Sequence, residues 1–129
     1  MSLHVELEVR ETSARGRGVF ALAAIPAGTL IESADVIVIP REEMHAIESC
    51  VLADYDFRWG TDGREGAIAL GYGSIYNHSY TPNAHYVKHF ERRSIDFIAL
   101  RDIAAGEEIR TNYNGDPDSK KMVWFEVSE

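Results

Sequence analysis

GSIYNHSYTPNAHY, residues 73–86, places three tyrosines, two histidines, two asparagines, two serines, a threonine and a proline within fourteen positions. Turn chemistry explains part of it, because Thr81-Pro82-Asn83 combines residues that each favour a reversal of the chain. It leaves the tyrosines and the Asn77-His78 pair without a reason. A small domain that concentrates so many hydrogen-bonding groups in one stretch is building more than a turn.

Outward from this stretch the pattern is that of short strands. IALGYG leads into it as a strand out of the turn-rich loop TDGREG, and beyond it YVKHF and SIDFIAL flank the polar ERR as a hairpin. At the N-terminus Leu3, Val5, Leu7 and Val9 alternate with His4, Glu6, Glu8 and Arg10, which predicts one strand with a single buried face. Gly16 and Gly18 punctuate a loop before the apolar run VFALAAI. After Pro40, Met44, Ile47, Val51 and Leu52 recur at helical spacing behind Glu42 and Glu43, which suit the positive end of a helix dipole, so the principal helix is expected here. One internal echo stands out: Ala21-Leu22, Ile25, Ala27-Gly28 and Ile31 recur with the same spacing as Ala99-Leu100, Ile103, Ala105-Gly106 and Ile109. Both copies read as strand, turn, strand, which fits a duplicated β unit and equally two hairpins sharing a turn signature.

The 129 residues suit one domain, expected to span 1–129. Thirteen basic residues against 21 acidic ones give a net charge of −8, which argues against direct contact with nucleic acid and suits a basic partner. No apolar run approaches the ~20 residues that cross a bilayer. MSLHVELEVR lacks a basic-then-apolar signal pattern, and Cys50 is the single cysteine, so no internal disulfide forms and a cysteine-rich zinc site is excluded. A cytoplasmic protein without membrane contact is the expectation.

Several candidates for chemistry are weak alone. RGRG, residues 15–18, lacks the Lys-Ser/Thr of a phosphate loop and reads as a tight turn. His85 and His89, four apart on a strand, have no third ligand at a recognisable spacing, so no metal is expected. No serine sits in G-x-S-x-G, which speaks against a Ser-His-Asp hydrolase. Cys50 falls on the apolar side of the expected helix and should pack.

Taken in order, RGRGVFA, YNHSYTPNAHY, RDIAAGEEIRTNYNGD and VWFEV resemble the SET-domain protein-lysine methyltransferases over nearly the whole chain, from about Ser13 to Val127. The specific part is N-H-S-x-x-P-N followed some thirty residues later by A-G-E-E-I-x-x-x-Y. The resemblance implies a mostly β fold of several small sheets with one main helix, the C-terminus threaded through a knot-like core that brings N-H-S beside the terminal tyrosine. It implies transfer of methyl groups from S-adenosylmethionine to lysine side chains of a protein, with S-adenosylhomocysteine as the product. Gly16, Arg17, Gly18, Asn77 and His78 would then bind the cofactor, with Ser79, Pro82 and Asn83 as their scaffold. Tyr113 would be the essential tyrosine, also touching cofactor, and Trp124 would cover the adenine.

Within the channel, Tyr72, Tyr86 and Thr111 are the expected lining, and Tyr76 is expected in the core. The aromatic that often controls product multiplicity two residues before the essential tyrosine is replaced by Thr111, which leaves Tyr86 to limit addition. Asn112 stands where the family usually has an acidic residue, ESADVIVIP lacks an aromatic found in some members, and there are no cysteine-rich flanks. These departures resemble compact viral and bacterial members, and homodimerisation of this chain would supply the missing wall. A basic protein or peptide is the expected substrate; a ribosomal or other non-histone substrate, and a catalytically silent module on the same scaffold, are the alternatives.

Overall fold

Ten strands carry the architecture of the computed structural model, which describes residues 2–3 and 5–129. They are β1 (Ser2–Leu3), β2 (Leu7–Thr12), β3 (Gly16–Ala21), β4 (Leu30–Ile39), β5 (Phe57–Trp59), β6 (Glu65–Ala69), β7 (Asn77–His78), β8 (Ala84–His89), β9 (Ser94–Ala99) and β10 (Glu108–Thr111). One sheet runs β5-β6-β4-β9-β8 with β1 also on β4, and the second runs β2-β3-β10-β7. β4 is long because it changes partner along its length: 30–35 pair with β9 and 36–39 with β6.

The alternation at the N-terminus holds in burial, with Leu7 inside and Glu8 outside, but two strands carry it rather than one. β1 pairs with β4 in one sheet and β2 with β3 in the other. His4, which belonged to the expected strand, lies outside the described residues. The hairpin expected around ERR is present as β8–β9, in register from Ala84↔Ala99 to His89↔Ser94, and its tight reversal puts Arg93 at a φ of +52°.

The expected helix is broken. Arg41–Glu43 and Val51–Asp54 are single turns of 3-10 helix on either side of a four-residue α1 (Met44–Ile47), and Cys50 between them is extended. None of these helical residues is buried; Val51 is 67% exposed, and Cys50 is exposed rather than packed. Apolar spacing predicted a face packed on a core, whereas this segment rims a groove and, of the residues so spaced, only Met44, against Gly66 of β6, and Ile47 are half-buried.

The echoed segments pair with each other about an approximate two-fold axis. Ile25 and Ile103 exchange both backbone hydrogen bonds, at 2.8 Å each. Gly28 N donates to Ala99 O, and its counterpart Gly106 N donates to Ala21 O, at 2.8 and 2.7 Å. Both glycines have a φ near +85°, a region that side chains with a Cβ avoid, which explains why the alanine-glycine turn recurs. Ile31 and Ile109 are wholly buried, at the same step in each copy.

β10 lies between β3, to which it is antiparallel, and β7, to which it is parallel. A parallel neighbour needs a long crossover, and here it is the whole β8–β9 hairpin and the second echo. The result is the knot-like arrangement: Arg110 stands opposite Asn77 and Thr111 opposite His78. Asn83 locks it. Its amide donates to Glu108 O at 2.8 Å and Glu107 Oε2 at 2.9 Å, while its Oδ1 accepts from Arg110 N at 2.9 Å.

Candidate active site

β7 and β10 end together, and the residues just before and after them form a wall between two concavities. On one side lies a pocket of about 220 Å³ lined by Arg15, Asn77, His78 and Arg110 and closed by the tail from Phe125 to Ser128. On the other lies an open trench of about 1430 Å³ whose lining includes Tyr55, Phe57, Tyr76, Tyr86, Thr111, Tyr113 and Trp124. Tyr113 connects the two. Its backbone N–H donates to His78 Nδ1 at 2.9 Å, and its hydroxyl donates to the carbonyl of Tyr76 at 2.6 Å.

His78 is 2% exposed, and burial lowers its pKa, with Glu129 opposing and Arg110 adding to the shift. Because Nδ1 accepts a hydrogen bond, the neutral ring carries its proton on Nε2. That N–H has no partner among the described residues. The backbone carbonyl of His78 is held by the Arg110 guanidinium, and Ser79 N donates to Thr111 O at 2.9 Å, so the dipeptide cannot shift along β10.

The glycine loop comes up beside it. Gly16, at a φ of +68°, starts β3 directly after the turn at 13–15, so RGRG is both turn and strand. A Cβ on Gly18 would collide with Glu108 Oε2 and come within 2.9 Å of Asn77 Nδ2, which is why the second glycine is needed. Asn77 Nδ2 donates to Arg17 O at 3.0 Å and to Glu108 Oε2 at 2.7 Å, tying the loop to β7 and β10.

In the trench, the Tyr86 hydroxyl donates to Tyr113 O at 3.2 Å and its ring meets Phe57 edge-on at 5.1 Å. Burial pushes the Tyr86 hydroxyl up to about 12 and that of Tyr113 further above the ordinary phenol value. Both stay protonated at neutral pH. Thr111, small and 2% exposed, also lines this trench.

The structure places Gly16, Arg17, Gly18, Asn77 and His78 together, and Tyr86, Thr111 and Tyr113 together across the wall. Two expected residues stand elsewhere. Tyr72 is not part of the trench lining: it packs against the core in the turn before Tyr76, its N–H anchored on Glu32 Oε2 at 3.0 Å. Trp124 is on the trench side, stacked on Tyr113 at 5.8 Å and 22°, while Phe125 stands edge-on to His78 at 6.1 Å and lines the pocket. Trp124 and Phe125 sit at a bend of the tail, their rings edge-on to each other at 5.2 Å and both against Tyr113, Phe125 at 5.9 Å.

Other residues were not foreseen. Tyr76 is in the core as expected, but its hydroxyl donates to Glu32 at 2.7 Å, and that carboxylate is wholly buried, its pKa raised by burial against the hydrogen bonds from Tyr72 N and Tyr76. The available signal was Glu32 as one of two acidic residues in the mostly apolar run LIESADVIVI. Arg15, Glu108, Arg110 and Glu129 gave none, since each depends on partners remote in sequence. The departure at Asn112 has a local reason: its amide donates to Ser119 O at 2.8 Å while its Oδ1 accepts from Asn114 N at 3.0 Å. An aspartate could not make the first of these bonds. His89 pairs with Asp96 at 3.0 Å, and among the described residues no group of three or more His, Cys, Asp or Glu is placed to hold a metal ion.

Residues 16–114 match the family pattern described as SET domain. A Schizosaccharomyces pombe protein named histone-lysine N-methyltransferase, H3 lysine-37 specific, is 40% identical over 122 residues, covering 93% of this chain and 77% of its own length. The crystal structure of a Plasmodium falciparum protein assigned as a histone methyltransferase superposes with a TM-score of 0.70 at 28% identity, over 86% of this chain and 95% of that one.

Proposed function

This chain belongs to the SET domain family of protein-lysine methyltransferases, and on that premise we propose that it methylates a lysine of a basic protein with S-adenosylmethionine held in the Asn77-His78 pocket. The observation that carries this reading is the position of Tyr113, bonded to His78 on the pocket side and to the Tyr76 carbonyl on the trench side. Donor and acceptor would meet at that wall from opposite faces.

The pocket fits such a cofactor chemically. His78 Nε2 is a buried donor with no partner among the described residues, and Asn77 offers a carbonyl oxygen beside it. At about 220 Å³ the pocket lies below the ~300–1,000 Å³ of a ligand cleft, so the tail at Phe125 to Ser128 has to yield for the whole molecule to enter. Bound there, S-adenosylmethionine supplies a methyl group on a sulfonium centre, and its transfer to lysine Nζ leaves S-adenosylhomocysteine.

The chain's own residues do the rest by position. An attacking amine must be neutral, whereas free lysine titrates near ~10.4, and the half-enclosed trench disfavours the ammonium by desolvation. Tyr113 and Tyr86 do not serve as bases, because burial keeps both hydroxyls protonated. Their oxygens and the Tyr76 carbonyl instead fix the amine's direction, and the proton leaves to water along the open trench. The chain's charge of −8 draws a basic segment towards it. Since the fission-yeast relative is named for lysine 37 of histone H3, histone H3 is the first substrate to offer.

Calorimetry with S-adenosylhomocysteine tests the pocket. The double variant Asn77→Ala, His78→Ala should lose about 2–6 kcal/mol of binding, two polar contacts at ~1–3 kcal/mol each. Wild-type affinity in the double variant would move the cofactor elsewhere.

A further inference from the structure

Behind the pocket, and absent from its lining, Glu108 binds two residues that do line it. Its Oε1 accepts from the Arg15 guanidinium, with Arg15 Nε at 3.0 Å, and its Oε2 accepts from Asn77 Nδ2 at 2.7 Å. The Glu108 side chain is 7% exposed. The second hydrogen of the same amide goes to Arg17 O at 3.0 Å. Both partners of Asn77 are therefore pure acceptors, one a carboxylate and one a carbonyl, and neither can bond to an amide oxygen. They force the amide nitrogen inward and leave Oδ1 as the polar atom that Asn77 has free for a ligand; among the described residues no donor reaches it. Arg15 neutralises the carboxylate, so the pocket gains a directed acceptor without a bare negative charge beside it.

We infer that Glu108 is a positioning residue that locks Asn77 as a hydrogen-bond acceptor and so makes the pocket select a ligand bearing an N–H donor, here the α-ammonium of the cofactor's amino-acid portion. The inference rests on the cofactor reading above. Replacing Glu108 by Gln keeps the shape but substitutes an amide that can donate to Asn77 Oδ1, which frees the Asn77 side chain to turn over and present Nδ2 to the pocket. The amide would then repel the ammonium and lose its selectivity for it.

Two ligands differing at one group separate this from a structural role: S-adenosylhomocysteine and its desamino analogue, with the same thioether and adenosine. Calorimetry on the whole chain should find the wild type binding the first at least about ten-fold more tightly, the worth of one charge-assisted hydrogen bond. Glu108→Gln should weaken only that ligand, bringing the two within roughly three-fold of each other. Glu108→Asp, which keeps the charge near Arg15 but draws the oxygen back from Asn77, should lose selectivity in the same direction and serves as the test if the Gln variant does not fold. Equal weakening of both ligands, or an unchanged ratio in a folded variant, overturns the role of Glu108. Failure of the wild type to bind either ligand overturns the cofactor reading instead.

Discussion

Glu32 shows what a single buried charge does in a domain this small. Its two oxygens accept from Tyr76 Oη and Tyr72 N, and so hold the segment whose carbonyl at Tyr76 receives the Tyr113 hydroxyl. Glu32→Ala strands one buried and one half-buried donor and should cost about 2–4 kcal/mol in urea unfolding, whereas Glu32→Gln keeps an acceptor, sheds the burial cost of a carboxylate and should stay within about 1 kcal/mol of wild type. Equal losses in the two variants would mean that packing, not hydrogen bonding, is what matters there. For Tyr86 the proposed role is a finer one. Its hydroxyl reaches Tyr113 O in the trench that Thr111 also lines, so Tyr86→Phe should shift the product from monomethyl- towards dimethyl-lysine by removing one hydrogen-bonding group from that trench. Mass spectrometry of a methylated peptide reads this directly; an unchanged distribution removes Tyr86 from product control. At this scale the two motifs carrying Asn77, His78 and Tyr113 could be read because each is a run of neighbouring residues, while the contacts of Glu32 and Glu108 could not, their partners lying some 44 and 93 residues away.

Among the elements, the parallel pairing of β7 with β10 is what turns two motifs into one site. The residue at its end is pH-sensitive. Folded His78 has a lowered pKa, because burial disfavours the cation and Nδ1 must stay unprotonated to accept from Tyr113 N. The unfolded chain therefore binds the proton first, and the stability this histidine contributes is present above its ordinary value of 6.5 and drains away as pH falls below it. Between pH 7.5 and 5.5 the wild-type Tm should fall more than that of His78→Gln, which cannot titrate. Parallel declines would place the sensitivity elsewhere. The strands and the β8–β9 hairpin could be read from period-two patterns and turn residues, which act locally. The broken helix could not: Met44, Ile47, Val51 and Leu52 have helical spacing, but whether such a face is buried depends on what packs against it, and here it borders the trench.

In the whole molecule, two echoed β units joined at Ile25 and Ile103 carry a threaded β10, and the pocket and trench open on either side of Tyr113. The echo was visible as spacing; the pairing of its copies with one another was not, because sequence similarity does not say which strands meet. On the proposed function, a methyl group passes across this wall to a lysine under the guidance of the Tyr113 hydroxyl. The most direct measurement follows label from S-adenosylmethionine into proteins of a cell lysate, with the modified residue identified by mass spectrometry, for wild type and Tyr113→Phe side by side. Labelled lysine is expected with wild type and a loss on the order of 10²-fold or more in the variant, at a Tm lowered only by the one folded-state hydrogen bond to the Tyr76 carbonyl that the hydroxyl also makes. Label on a residue other than lysine, or a Tyr113→Phe variant as active as wild type, would contradict it.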